Sequence, residues 1–182
     1  MPENIIEIKN LEKHFGGVQA LRGVDMHMPK GQVTAIVGDN GAGKSTLIKT
    51  LSGIHQPTVG AILFDGEDVT ISSPLDARNL GIETVYQDLA VVDTLSVAQN
   101  LYLSREIRSG IWPFRFLNSK KMAAGASEML SMVGNTGLML DRELGFMSGG
   151  QRQAVAICRA VGFGAKLVIF DEPTAALGVK ES

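Results

Sequence analysis

Residues 38–46 read GDNGAGKST, and few backbone conformations can accommodate three glycines, a lysine and two hydroxyl side chains in that order. The apolar, β-branched segment before them, residues 32–37, predicts a buried strand, and residues 45–51 predict a helix. A glycine-rich turn between a strand and a helix lets backbone N–H groups converge on an anion at the positive end of the helix. The spacing therefore predicts a phosphate-binding loop and an α/β fold.

Each residue type in this loop has an expected task. Lys44 supplies a full positive charge for the β- and γ-phosphates of a nucleoside triphosphate, and Ser45 is the expected magnesium ligand. Thr46 can add a hydrogen bond. The residues that we expect to contact the nucleotide here are Gly38, Asp39, Asn40, Gly41, Ala42, Gly43, Lys44, Ser45 and Thr46.

Two acidic residues follow a second apolar run. Residues 167–170 predict a strand that is buried on both faces, and Asp171 and Glu172 come directly after it. Ligands of open α/β sheets bind at the carboxyl ends of strands, so Asp171 is a candidate magnesium ligand. Glu172 is a candidate to polarise an attacking water. The alternative is that Asp171 and Glu172 are only two surface acids after a strand. The presence of a phosphate loop in the same chain makes this alternative less favoured.

A third segment combines Ser148, Gly149 and Gly150 with a predicted helix at residues 151–161. Its backbone amides can form a second anion site that covers the phosphates from the side opposite the loop. Ser148 is equally suited to be an ordinary N-cap residue of that helix. The local sequence leaves both interpretations open.

Composition limits the remaining possibilities. The chain has 182 residues and a net charge of −2, which suits one domain and does not indicate nucleic acid or an anionic membrane as partner, although a local basic patch is compatible with it. Cys158 is the one cysteine, so no intramolecular disulfide can form, and a reducing cytoplasm fits. No apolar run approaches the roughly 18–20 residues of a membrane-spanning helix. The N-terminus lacks the features of a signal peptide.

The order of predicted elements divides the chain. Short strands are predicted near residues 5–9, 24–28, 61–64 and 82–86, whereas residues 97–103 and 120–133 predict helices. We therefore predict a core of residues 1–87 and 147–182, with a helical subdomain of residues 88–146 inserted. Within the insert, the bulky apolar segment 111–116 predicts either a hydrophobic plug beneath a loop or a docking patch.

Four motifs follow one another along the chain: the phosphate loop, Gln87, the sequence MSGGQ at residues 147–151 (the signature), and the sequence DEPT from Asp171. In this order they resemble the motifs of the nucleotide-binding subunit of ATP-binding cassette (ABC) transporters. The match extends over essentially the whole chain. The amino-acid sequence around the motifs is most similar to that of the ATPases of bacterial monosaccharide importers. The resemblance implies a phosphate-loop NTPase core, with a mostly parallel sheet and an N-terminal antiparallel β part, and an inserted helical subdomain.

The resemblance also implies roles for individual residues. Phe15 would stack on adenine, with a core phenylalanine as the less favoured alternative. Gln87 would contact magnesium and water and link the site to the helical subdomain. The cofactors would be ATP and Mg²⁺. The implied catalytic residues are Glu172, Gln87 and Lys44. The implied metal ligands are Ser45, Gln87 and Asp171. The residues that would act on the partner subunit's ATP are Ser148, Gly149, Gly150 and Gln151.

The implied function is that of an ATP-driven motor for import of a small solute, most similar to monosaccharide importers. Two subunits, as a homodimer or as tandem cassettes, would pair head-to-tail around two ATP molecules. The helical subdomain would dock on transmembrane permease subunits, which an external solute-binding protein serves, and the motor would sit peripherally on the cytoplasmic face of the membrane. The alternatives are a soluble ABC-type ATPase acting on ribosomes or DNA, and a fragment that binds nucleotide without turnover; we expect no nucleic acid.

Three positions depart from the family pattern. Met147 replaces a leucine in the signature, and Gly178 replaces an aspartate that helps two sites communicate. The third departure is that no histidine follows Glu172, where the family has a switch histidine; His14, His27 and His55 all precede it. We therefore expect a C-terminally truncated chain that binds ATP and hydrolyses it poorly.

Overall fold

The computed structural model describes residues 3–86, 89–111, 114–134 and 137–171. The chain divides into two compact units, one of Met1–Thr84 with Ala165–Ile169 and one of Val85–Gly164 with Phe170–Ser182. Each unit has its own cluster of buried apolar side chains. The second unit contains the predicted helical insert together with residues 147–164, which the sequence pattern assigns to the core.

An antiparallel sheet forms most of the first unit. Its strands are β1 (Asn4–Phe15), β2 (Val18–Pro29), β3 (Val59–Phe64) and β4 (Glu67–Val69), in the order β2-β1-β3-β4. The predicted strands at 5–9, 24–28 and 61–64 lie within β1, β2 and β3. The first two are longer than predicted, because β1 and β2 remain paired up to the turn that joins Phe15 to Val18. This sheet is the predicted N-terminal antiparallel part.

Two helices belong to the same unit, α1 (Lys44–Leu51) and α2 (Pro74–Leu80). Leu47 and Leu51 of α1 are buried in one cluster with Ile6 and Leu11 of the sheet. Burial of these side chains anchors the first turn of α1, and with it the loop that precedes the helix. The helix predicted at residues 45–51 is thus confirmed.

The strand predicted at residues 32–37 is wrong. These residues form no strand, and Val33 and Val37 are 100% and 88% exposed. An apolar, β-branched run shows that a segment is suited to a sheet, but a strand exists only where neighbouring backbone supplies hydrogen bonds. Among the described residues, no strand pairs with this segment.

The parallel part of the fold consists, in the described residues, of β5 (Ile82–Val85) and β8 (Leu167–Phe170). The hydrogen bonds from Leu167 N to Gly81 O and from Asp171 N to Val85 O advance in the same direction along both strands, so the strands are parallel. The prediction of full burial for β8 is wrong, since residues 167–169 are half-buried and Phe170 is 43% exposed. In the described part of the chain, β8 has a strand neighbour on one side only.

The second unit is mainly helical. Its elements are α3 (Val97–Leu101), a hairpin of β6 (Arg108–Ser109) and β7 (Phe116–Leu117), α4 (Ser119–Met132), a short 3-10 helix (Leu144–Phe146) and α5 (Gly149–Val161). Side chains of α3, α4 and α5 share one buried cluster. The described helices all fall short of the length or the hydropathy that a bilayer-spanning segment needs.

The apolar segment 111–116 does not form a buried plug in its described part. Ile111, Phe114 and Phe116 are 85%, 71% and 70% exposed. The other interpretation, a docking patch, therefore remains for this segment.

Candidate nucleotide-binding site

The phosphate loop ends at Gly43, which is the N-cap residue of α1 and has a left-handed backbone conformation with φ of 88°. A Cβ atom at this position would lie 2.6 Å from the carbonyl oxygen of Ala20 in β2. Both the sign of φ and the close approach of backbone therefore require glycine. Gly41 has a similar φ of 84°, so two of the three residues that precede Lys44 have a positive φ.

Lys44 turns back over the loop. Its Nζ donates to the carbonyl oxygens of Gly38 at 2.7 Å and Asp39 at 2.9 Å, and the N–H of Ala42 donates to the same Asp39 oxygen at 3.1 Å. Within the described residues, Lys44 forms no ion pair with a carboxylate. The cation that closes the loop therefore has no neutralising carboxylate among the described residues.

The first turn of α1 carries no side chain that competes with an anion. The helix has no side-chain cap hydrogen bond, and its first turn contains no acidic residue. The first N–H groups of a helix lack intrahelical acceptors, and the helix dipole makes this end positive. Ser45 lies here with its side chain exposed. This set of donors fits the phosphates of a nucleotide, as the sequence predicted.

Phe15 lies at the same end of the sheet as the phosphate loop. It pairs with Val18 at the start of β2, and Ala20, two residues further along, contacts Gly43. The phenyl ring is 43% exposed, so Phe15 is not a core residue. A half-exposed aromatic face beside a phosphate loop is suited to stacking on a base.

Two neighbours of Phe15 did not emerge from the sequence. The ring of His55 meets it edge-on, with centroids 5.0 Å apart, and Lys13 Nζ lies 5.0 Å from its centroid. His55 follows α1, so only the fold brings it to the end of β1. No local pattern marks it.

In the second unit, Ser148 is the N-cap residue of α5, as predicted. The Gln151 N–H donates to Ser148 Oγ at 3.3 Å, and the Ser148 N–H donates to Gln151 Oε1 at 3.0 Å, which together make a capping box. Ser148, Gly150 and Gln151 are exposed, while Gly149 is half-buried. The cap is confirmed, whereas anion binding by this segment stays a prediction.

Asp171 follows β8 and donates its N–H to the carbonyl oxygen of Val85 at 2.9 Å. It belongs to the second unit, while the phosphate loop and Phe15 belong to the first. Gln87 and Glu172 lie outside the described residues. Among those described, no cluster of three or more His, Cys, Asp or Glu side chains could hold a metal ion. Magnesium in nucleotide sites is usually held by one or two protein ligands together with phosphates, and the Ser45 hydroxyl is suited to such a role.

The fold and the loop geometry place the chain in the class of phosphate-loop nucleotide-binding proteins. The family can be stated more narrowly. The family described as ABC transporter matches residues 21–175, and this chain belongs to that family, whose members bind ATP.

Curated relatives carry names of sugar import proteins. The xylose/arabinose import ATP-binding protein XylG of Sulfolobus acidocaldarius is 49% identical over 179 residues, which cover 98% of this chain and 70% of that protein. The fructose import ATP-binding protein FrcA of Rhizobium meliloti is 46% identical, with 99% and 71% covered. The ribose import ATP-binding protein RbsA of Bacillus licheniformis is 41% identical, with 97% and 35% covered. The predicted resemblance is confirmed.

Solved structures agree with the predicted fold class. A nucleotide-free ATP-binding cassette from an ABC transporter superimposes with a TM-score of 0.78 at 33% identity, over 93% of this chain and 69% of that one. Another cassette from an ABC transporter, in its ADP conformation, gives a TM-score of 0.78 at 32% identity, with 94% and 70% covered. The α/β phosphate-loop fold is therefore confirmed.

Proposed function

We propose that this chain is the ATP-binding and ATP-hydrolysing motor of an importer for a small solute, and that the solute is a monosaccharide. The observation that carries the proposal is the phosphate loop, in which Lys44 closes the turn and α1 begins without a side-chain cap. The named relatives import xylose or arabinose, fructose and ribose, which favours a sugar. They also favour an importer over an ATPase that acts on ribosomes or DNA.

Each predicted residue has a task in this proposal. Phe15 stacks on adenine, the loop amides and Lys44 hold the phosphates, and Ser45, Gln87 and Asp171 ligate magnesium. Bound magnesium neutralises the charge that develops on the phosphates. Glu172 orients and polarises the attacking water. The half-exposed ring of Phe15 and the exposed side chain of Ser45 support the first part of this assignment.

We further propose that two such subunits pair head-to-tail and that residues 148–151 contact the ATP held by the partner subunit. The exposure of Ser148 and Gln151 supports this, because only accessible groups can act across an interface. Docking of the helical subdomain, residues 88–146, on permease subunits would place the motor peripherally at the cytoplasmic face. An external solute-binding protein would then deliver the solute to the permease.

Titration calorimetry with ATP and magnesium, with light scattering on the same samples, tests the proposal. We expect binding with a stoichiometry of one nucleotide per chain, and dimers that form only with ATP. A folded protein that does not bind ATP would overturn the proposal.

A substitution at Glu172 separates binding from turnover. Glu172→Gln keeps the shape of the side chain and removes its capacity to act as a base, so it should retain ATP binding, trap the ATP-bound dimer and reduce phosphate release. Release at the wild-type rate would exclude Glu172 as the base. Gln151→Ala provides a second variant, which should leave nucleotide binding by the monomer intact and weaken ATP-dependent dimers.

A further inference from the structure

The hairpin of β6 and β7, described at residues 108–111 and 114–117, exposes apolar side chains. Ile111, Phe114 and Phe116 are each at least 70% exposed, and Leu117 is 52% exposed. Strands β6 and β7 pair through Arg108 with Leu117 and Ser109 with Phe116. Bulky apolar side chains grouped in this way usually mark an interaction site.

Hydrogen bonds connect the described residues of the hairpin. The N–H of Phe114 donates to the carbonyl oxygen of Ile111 at 2.7 Å, which closes the turn. Gly110 has a φ of 111°, and a Cβ atom there would overlap the Phe114 carbonyl oxygen. At the base, Asn118 donates its N–H to Ile107 O and its side-chain amide to Ser109 Oγ, both at 2.7 Å. The hairpin therefore holds its apolar residues outward through specific hydrogen bonds.

The segment that contains this hairpin is basic, although the whole chain carries a net charge of −2. Residues 105–121 contain five basic residues and one acidic residue, a net charge of +4. Arg108, Arg115, Lys120 and Lys121 are exposed, and in the described part of the chain none of them forms an ion pair. Among the described residues, these four positive charges therefore lack a carboxylate partner.

The start of α4 increases the positive potential. Asn118 caps this helix by accepting from the Lys121 N–H at 3.0 Å, and the first turn has no acidic residue. Lys120 and Lys121 lie at the positive end of the helix dipole, where cations are unfavourable. A local arrangement that opposes stability without a compensating contact is typical of a functional surface. Here it indicates an anionic partner.

We propose that this hairpin is a contact site for an anionic lipid surface. Its apolar side chains would enter the boundary between head groups and acyl chains, and the surrounding arginines and lysines would bind lipid phosphates. A lipid interface supplies an apolar layer and an anionic layer at adjacent depths, which matches the exposed apolar side chains of the hairpin and the basic segment that contains it. The contact needs no nucleotide, so its test is independent of the proposed ATP-driven function.

Vesicle flotation of the 182-residue chain, without nucleotide, tests the contact. We expect binding to vesicles with about 30% phosphatidylglycerol, little binding to pure phosphatidylcholine, and weakening at high salt. A folded wild-type chain that binds neither vesicle, or both equally, overturns the proposal.

Two hairpin variants and two matched controls identify the surface. Phe114→Ser with Phe116→Ser should reduce binding about tenfold or more, and Arg108→Glu with Arg115→Glu should reduce it by more than about 30-fold. The controls remove exposed apolar side chains elsewhere (Leu75→Ser with Met139→Ser) and reverse two charges on the sheet (Lys9→Glu with Arg22→Glu).

Thermal unfolding followed by circular dichroism checks that each of these variants is folded. Equal losses in the hairpin variants and their controls would overturn the proposal. A second result would also overturn the proposal: the chain binds no vesicles, and light scattering shows that it self-associates and that the hairpin variants abolish this self-association. The surface would then be an interface between two copies of the chain.

Discussion

Helices α1 and α5 both begin at a glycine-rich segment, and they differ in whether a side chain accepts a hydrogen bond from the backbone N–H groups of the first turn. At α5, Ser148 and Gln151 satisfy each other's backbone N–H groups in a capping box. At α1, the N-cap residue is Gly43, there is no side-chain cap, and the nearest side chain, Lys44, donates to the loop carbonyls instead. Only α1 leaves its first-turn amides without a side-chain acceptor.

This difference indicates that the N-terminus of α1 is suited to bind a ligand, whereas the N-terminus of α5 is capped by the protein's own side chains. Uncapped amides and an uncompensated lysine cost stability unless an anion occupies the loop, so ligand binding at α1 should be strong. The capped start of α5 is stable alone and presents its remaining groups at the surface. On this basis we propose that α1 supplies the primary nucleotide affinity and that residues 148–151 add a contact in the proposed dimer.

The largest expected effect is at Lys44. Lys44→Ala removes the charge that faces the phosphates and the two hydrogen bonds that close the loop, so affinity for ATP should fall at least about 100-fold. Titration calorimetry measures this. Lys49→Ala, in the last turn of the same helix, is the matched control and should bind ATP like the wild type. Unchanged affinity in Lys44→Ala would contradict the assignment of α1 as the phosphate site.

The next effect concerns glycine at the two helix starts. Gly43→Ala places a Cβ on a residue with φ of 88° and against the Ala20 carbonyl oxygen, so it should destabilise the protein by about 3 kcal/mol. Gly149→Ala, in the first turn of α5, should be neutral or stabilise by up to about 1 kcal/mol. Urea unfolding of both variants measures the contrast. Similar effects at the two positions would remove the structural distinction between these helix starts.

A smaller effect tests the capping box. Ser148→Ala should destabilise the protein by about 1 kcal/mol, because the Gln151 N–H loses its acceptor. A double-mutant cycle with Gln151→Ala should show coupling between the two substitutions. Ser131→Ala, at the end of α4, is the control and should change stability by less than about 0.5 kcal/mol. If Ser131→Ala cost as much as Ser148→Ala, the cap would have no special role.

The last effect is absent at neutral pH and concerns Cys158, which is fully buried in α5. Burial raises the pKa of its thiol from 9.0 to about 11, so the unfolded chain loses this proton first as pH rises. Stability should therefore be unaffected by this group below about pH 9 and should fall between pH 9 and pH 11. Comparison of urea unfolding for the wild type and Cys158→Ala across this range isolates the contribution. Parallel pH profiles for the two proteins would show that the thiol titrates normally.

Local sequence patterns predicted several helices and strands correctly. The helices at residues 45–51 and 151–161, the cap at Ser148 and the short strands of the antiparallel sheet follow from periodicity, glycine positions and capping residues. The phosphate loop was equally predictable, because its chemistry lies in nine consecutive residues. The family relation confirmed that prediction.

Other features depend on residues far apart in the chain. The exposed segment 32–37 has the composition of a strand, but strand formation needs a hydrogen-bonding neighbour that composition does not reveal. The edge-on contact of His55 with Phe15 arises because α1 and the end of β1 meet in the fold. The roles of Gln87 and Glu172 remain predictions from sequence, since both lie outside the described residues.

The outward apolar residues of the hairpin show the same division. Their hydrophobicity was evident from residues 111–116, yet two opposite interpretations, burial and docking, were both consistent with it. Side-chain exposure depends on whether other segments cover the hairpin, and that is a property of packing rather than of local propensity. A site whose residues are adjacent in the chain, such as the phosphate loop, can be predicted from the sequence alone. Side-chain burial and contacts between distant residues depend on which segments the tertiary structure brings together.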